Sequence, residues 1–132
     1  MASKSFEEVL ERFRTISFVE NFDMIVAVAN GGIIPAAILN QRLDVEMQLL
    51  KINLRDKNQK PLYDSPRLVS PVGFDFGGRT ILLVEDRVKT GASLNFAKGL
   101  LQGAKLVKTF AVNGNADYAL YNEDCFKFPW IL

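Results

Sequence analysis

The chain has no histidine, and that absence removes a large part of enzyme chemistry. Without imidazole there is no Ser-His-Asp triad, no histidine general base and no histidine-ligated zinc site. Cysteine is nearly missing as well. Cys125 stands alone, so no internal disulfide can form, and a reducing cytoplasm is the expected setting. No apolar run approaches the roughly 18 residues of a membrane span, and the N-terminus lacks an apolar signal core, so neither membrane nor secretion is expected. Charge of one sign is also lacking. The formal net charge is +1, which provides no global reason to expect nucleic acid as a partner. The phosphate-binding patterns G-x-G-x-x-G and G-x-x-x-x-G-K are both missing, and no repeat or low-complexity tract is present.

What remains is ordinary for a soluble globular protein: 132 residues, 48% hydrophobic and 23% charged, the size of one domain with a single core. Its most informative stretch is 81–93. Ile81, Leu82, Leu83 and Val84 read as a strand buried on both faces, the centre of a parallel sheet. The run stops at two adjacent acids, Glu85 and Asp86, followed by Arg87, Val88 and Lys89. Thr90, Gly91, Ala92 and Ser93 then form a small polar loop that opens a helix over Leu94–Gln102, with Gly103 as its stop. In an open α/β sheet, ligands bind beyond the carboxyl ends of strands, where helix starts present unpaired N–H groups to anions. Phosphate on the loop and hydroxyls on the acids describe a phosphorylated sugar. Each piece alone has a plainer reading: solvated acids, or a turn followed by a cap.

Met24–Ala29 is a second buried strand. It runs into Asn30, Gly31 and Gly32, then Pro35 and a helix over Ala36–Leu43, which makes a second candidate anion loop. A tight turn would explain that loop equally well. Before it, Ser5 and Glu8 form a capping box for a helix whose apolar stripe is Phe6, Val9, Leu10, Phe13 and Ile16. Val45–Asn53 reads as a third strand. Residues 54–78, punctuated by proline and glycine and basic at Arg55, Lys57 and Lys60, read as a lid or a hidden hairpin. Lys105–Asn113 is another strand. The tail alternates at Phe126, Phe128 and Trp130, either as aromatic core or as a platform on which a planar base stacks.

Strand, two acids, three residues and Thr-Gly-x-Ser resembles the PRPP-binding motif of the type I phosphoribosyltransferases. The resemblance spans roughly residues 24–132 and implies a parallel central sheet flanked by helices, with a small aromatic hood at 114–132. It implies that Glu85 and Asp86 hold the ribose hydroxyls and that Thr90–Ser93 hold the 5-phosphate. Asn30, Gly31 and Gly32 would form the pyrophosphate loop, and Arg87, Val88 and Lys89 would complete the PRPP site, Arg87 and Lys89 adding positive charge. Glu85, Asp86 and Lys89 stand nearest the chemistry. Mg²⁺ is the implied cofactor, held by PRPP and, through water, by Glu85 and Asp86. The segment 54–78 becomes a lid over PRPP, and a homodimer is the implied assembly.

The tail, with Asp117, Tyr118, Asp124, Phe126, Pro129 and Trp130, is similar to the 6-oxopurine branch of that family. There Phe126 would stack on the purine and Lys127 would read its edge. Three positions depart from the pattern. Asn30 carries no charge where Lys or Arg is common, Lys89 stands where that branch has Asp, and Asn113 stands where it has a purine-reading Lys. Asn113 would then offer one amide hydrogen bond to the base. Transfer of phosphoribose to a nucleobase in nucleotide salvage is the implied activity. The alternative is a catalytically lapsed PRPP-binding regulator.

Overall fold

The two most apolar runs of the sequence become neighbouring strands at the middle of a sheet in the computed structural model, which describes residues 2–52, 68 and 71–132. The chain order is β1 (Ala2–Ser3), α1 (Phe6–Thr15), β2 (Met24–Ala29), α2 (Ile33–Leu43) and β3 (Glu46–Lys51). Then come β4 (Thr80–Val88), α3 (Ala92–Leu100), β5 (Leu106–Gly114), β6 (Tyr118–Tyr121) and β7 (Phe126–Lys127). The main sheet runs β3-β2-β4-β5-β6 and every pairing in it is parallel. β1 and β7 pair in a separate two-stranded ribbon. A parallel sheet flanked by helices is the architecture the buried runs predicted.

Every residue of β2 is buried because both faces of the sheet are covered. On one face Ile25, Ala27, Leu82 and Val84 meet Val9 and Phe13 of α1, Ala36 and Leu39 of α2, and Phe126 and Phe128 of the tail. On the other, Met24, Val26, Ile81 and Leu83 meet Leu94, Ala97 and Leu101 around α3. The two-residue side-chain period of a strand sorts the apolar run into these layers. Half of the expected capping box forms: the Glu8 N–H donates to Ser5 Oγ at 3.1 Å, while the Glu8 carboxylate turns to Tyr121 and Lys4.

Several boundaries differ from the sequence reading. β4 does not stop at the acids but continues to Val88, because β5 keeps pairing beside it as far as Gly114. α2 begins at Ile33, ahead of the expected Ala36, and α3 spans Ala92–Leu100 in place of Leu94–Gln102. Of the expected 54–78 lid, only Leu68 and 71–78 are among the described residues; Arg55, Lys57 and Lys60 lie outside them. Leu68 bridges Ile52 in antiparallel fashion, and Val72, Phe74 and Phe76 pack against the α3-side core. Among the described residues no helix is long and apolar enough to cross a membrane.

Candidate active site

The site arises where β4 loses one neighbour and keeps the other. β2 pairs with β4 only from Met24↔Ile81 to Ala27↔Val84, whereas β5 stays in register to Val88↔Gly114. Beyond Val84 β4 therefore has no strand partner on the β2 side, the place where an open parallel sheet forms its crevice. The Asn30–Gly32 loop fills its floor. A Cβ on Gly31 would lie 2.5 Å from Asp86 Oδ1, and one on Gly32 would run into the backbone oxygens of Val84 and Val28. The anion loop after β2 and the acid pair on β4, separated by more than fifty residues of sequence, are thus in contact. The Gly32 N–H donates to Val28 O at 2.8 Å and the Ile33 N–H to Asn30 O at 3.1 Å, which leads directly into α2. Asn30 is exposed, and the Ala29–Asn30 peptide is cis.

The acids are held by their own backbone. Glu85 Oε1 accepts from the Asp86 N–H at 3.1 Å, and Asp86 Oδ1 accepts from the Arg87 N–H at 2.6 Å. Burial, and then the charge of Asp86 beside it, push the Glu85 carboxyl well above its ordinary 4.5. The carboxyl oxygens of the pair are of the kind that can accept hydrogen bonds from sugar hydroxyls. Gly91 stands at the start of α3 with φ 84°, and the Thr90 hydroxyl accepts from the Ala92 N–H at 3.2 Å. Lys89, Thr90 and Ala92 are exposed, Ser93 is half-buried, and Val88 packs against the α3-side core. The donors near the crevice are oxygens, the ligand type that magnesium takes. No cluster of three or more His, Cys, Asp or Glu that could hold a metal occurs among the described residues, so an ion here would need oxygens from its ligand and from water.

The residues expected to read a base are placed differently. Asn113 is buried and its amide serves the tail: Nδ2 donates to Glu123 O at 3.2 Å, and Oδ1 accepts from the Glu123 N–H at 3.0 Å. It is a clamp on the 123–124 turn, with its hydrogen-bonding capacity committed within the chain. Phe126 is only 1% exposed, with its ring edge-on to Tyr121 and Phe128 at 5.1 and 5.2 Å. Neither face is open to a base. The plainer reading of the aromatic alternation, core packing, describes Phe126 and Phe128, and β7 itself is only Phe126–Lys127. Lys127 alone of the three is exposed. Arg87 does not face the phosphate loop. Its Nη2 donates to Phe126 O at 2.7 Å and its guanidinium lies 4.6 Å from the Phe128 ring centre.

Sequence reasoning missed the support under this hood. β1 pairs with β7, Lys4 Nζ lies 2.9 Å from Glu123 and 4.9 Å from the Phe126 ring centre, and Arg12 Nη1 donates to Leu120 O at 3.0 Å. No local pattern announces such contacts, since each joins positions more than a hundred residues apart.

A parallel sheet with a glycine-glycine loop against an acid pair, and a polar Thr-Gly-x-Ser helix start beyond it, sets out the groups that a phosphorylated sugar would need. The family model for the phosphoribosyl transferase domain matches residues 7–128, and the chain belongs to that family, an enzyme class of the glycosyltransferase type. The xanthine-guanine phosphoribosyltransferase of Idiomarina loihiensis is 26% identical over 118 residues, which are 84% of this chain and 72% of that protein. The protein of the same name from Chromohalobacter salexigens is 30% identical over 116 residues, 83% of this chain and 69% of that one. The fold also matches the crystal structure of a purine phosphoribosyltransferase from Pyrococcus horikoshii Ot3. The TM-score is 0.81, with 98% of this chain and 92% of that chain covered at 22% identity.

Proposed function

We propose that this protein transfers the 5-phosphoribosyl group of PRPP to a nucleobase, a purine by its relatives, and releases pyrophosphate, as a step of nucleotide salvage. The observation that carries this reading is the contact between Gly31 and Asp86. It sets a loop suited to pyrophosphate against acids suited to ribose, two groups that one PRPP molecule carries together. In this reading Glu85 and Asp86 accept from the ribose hydroxyls, and the Asn30–Gly32 loop faces the leaving pyrophosphate with the N–H groups of Asn30 and Gly31, that of Gly32 being held by Val28 O. Thr90, Gly91, Ala92 and Ser93 receive the 5-phosphate at the start of α3. Lys89, exposed beside them, adds positive charge. Glu85 and Asp86 are the residues that would hold Mg²⁺, through water. When bound, that ion would offset negative charge on pyrophosphate. The reacting sugar carbon passes through an oxocarbenium-like state, so placement and charge carry most of the rate. A general acid or base contributes about 10²–10⁴-fold, which bounds what Lys89 in place of Asp takes away. A single cytoplasmic domain that pairs as a homodimer completes the reading.

The internal commitment of Asn113, Arg87 and Phe126 favours a second reading, a PRPP-binding regulator without transfer. One experiment separates the two. Pyrophosphate release is followed with PRPP, Mg²⁺ and, in turn, hypoxanthine, guanine, xanthine, adenine, uracil and orotate, for the wild type and for Asp86→Asn. Release with one base, lost in the variant, establishes transfer and names the base. Calorimetric PRPP binding with no release for any base selects the regulator, and no PRPP binding removes both.

A further inference from the structure

We propose that Arg87 is the positioning residue of the hood, coupling the strand that carries the acid pair to the tail on the base side; this rests on the phosphoribosyl-transfer reading above. Arg87 and Asn113 are register partners at the ends of β4 and β5. Both side chains reach the same short tail. Asn113 holds the turn at Glu123 and Asp124, and Arg87 holds Phe126 O at 2.7 Å. The guanidinium lies over Phe128, which in turn stacks on Trp130 with ring centres 5.1 Å apart and planes 16° apart. On the other side, the Arg87 N–H is held by Asp86 Oδ1 at 2.6 Å.

Arg87 is therefore held at both ends, its backbone N–H by a site acid and Nη2 of its planar guanidinium by the hood. Packing alone does not call for arginine here. An apolar side chain would fill the same space without desolvating a cation, and Nε has no hydrogen-bond partner among the described residues. What arginine adds is a directional tie between 86 and 126, so that the strand with the site acids fixes the tail carrying Lys127, the expected base-reading residue that stays exposed.

The test begins without any ligand. Hydrogen exchange of the amides at 123–128 and the emission of Trp130, the only tryptophan, are compared for wild type, Arg87→Leu and Arg87→Lys. Exchange at 123–128 is expected to rise by roughly 10-fold or more in Arg87→Leu, with β2 and β4 unchanged, since a charge-assisted bond is lost locally. Arg87→Lys, which keeps the charge but loses the plane, falls between. With ligands, the KM for base should rise about 10-fold in Arg87→Leu, while the PRPP dissociation constant stays within about 3-fold. Unchanged exchange and emission overturn the proposal. So does a PRPP constant that weakens with the base KM unmoved, which would make Arg87 a phosphate ligand. If Arg87→Leu does not fold, Arg87→Lys decides by the same measurements. If the wild type binds no PRPP, the functional reading fails, while exchange and emission still decide whether Arg87 holds the hood.

Discussion

Two adjacent glycines have different jobs, and their surroundings say which. The obstacle to a side chain at Gly31 is the Asp86 carboxylate, the far end of a side chain that can rotate away. At Gly32 it is the backbone of Val84 and Val28, which cannot. Gly31→Ala should therefore fold with nearly native stability but weaken PRPP binding in calorimetry, because Asp86 is displaced. Gly32→Ala should lose about 1–3 kcal/mol in denaturant unfolding, as overpacking against fixed atoms does. Equal effects at both positions would contradict the contact.

Glu85 carries the second prediction at this scale. Its carboxyl is raised by burial and by Asp86, so the folded chain keeps a proton that the unfolded chain gives up. Stability from that proton is complete below the ordinary 4.5 and falls as pH rises through the folded value. Glu85→Gln should flatten this part of the stability profile, measured by urea unfolding at stepped pH, and leave the variant the more stable at neutral pH. A wild-type profile that rises across the same window would show that Glu85 is not held protonated.

Among the elements, α1 does more than cover the sheet. Tyr121 on β6 donates to Glu8 at 2.8 Å and lies under the Arg12 guanidinium, 4.4 Å from its ring centre, so one tyrosine adds a polar tie to the helix's apolar packing on the hood. Burial and the Glu8 bond push its hydroxyl up to about 12. The unfolded chain ionises first, so stability falls between the ordinary 10.0 and that value as pH rises. Tyr118, bonded to Glu20, is also raised, so ultraviolet titration should show late-ionising tyrosine, and Tyr121→Phe should remove the component near 12 at a loss of about 1 kcal/mol. At this scale the sequence was legible wherever the signal was local. The six apolar residues of β2, the helix cap at Ser5 and the run Ile81–Val84 became the elements their patterns describe. The end of β4 was not legible, because it depends on how far β5 stays beside it. The ribbon between β1 and β7 was not either, since a two-residue strand has no period.

For the whole molecule, PRPP that binds the folded chain alone must stabilise it by mass action. At about 100 times its dissociation constant, with Mg²⁺, the gain is about 2.7 kcal/mol. Calorimetry should show one transition that moves up as a unit by several degrees, and no shift for Asp86→Asn. Two transitions, only one of them shifted, would contradict a single domain.

The sequence by itself determined the parallel sheet and the order of its strand-end loops, because these follow from contiguous residues: apolar runs, paired acids, glycines before a helix. Only the tertiary structure decided which side chains are open to a ligand. Arg87, Asn113 and Phe126 sit in the motif positions read from the chain, yet their donors, acceptors and rings are turned on one another across 10 to 39 residues of sequence. Asn30, Lys89, Thr90 and Lys127 remain exposed. A buried polar group takes whichever partner the fold brings within hydrogen-bond reach, and that partner is set by packing between distant segments, which no local pattern records.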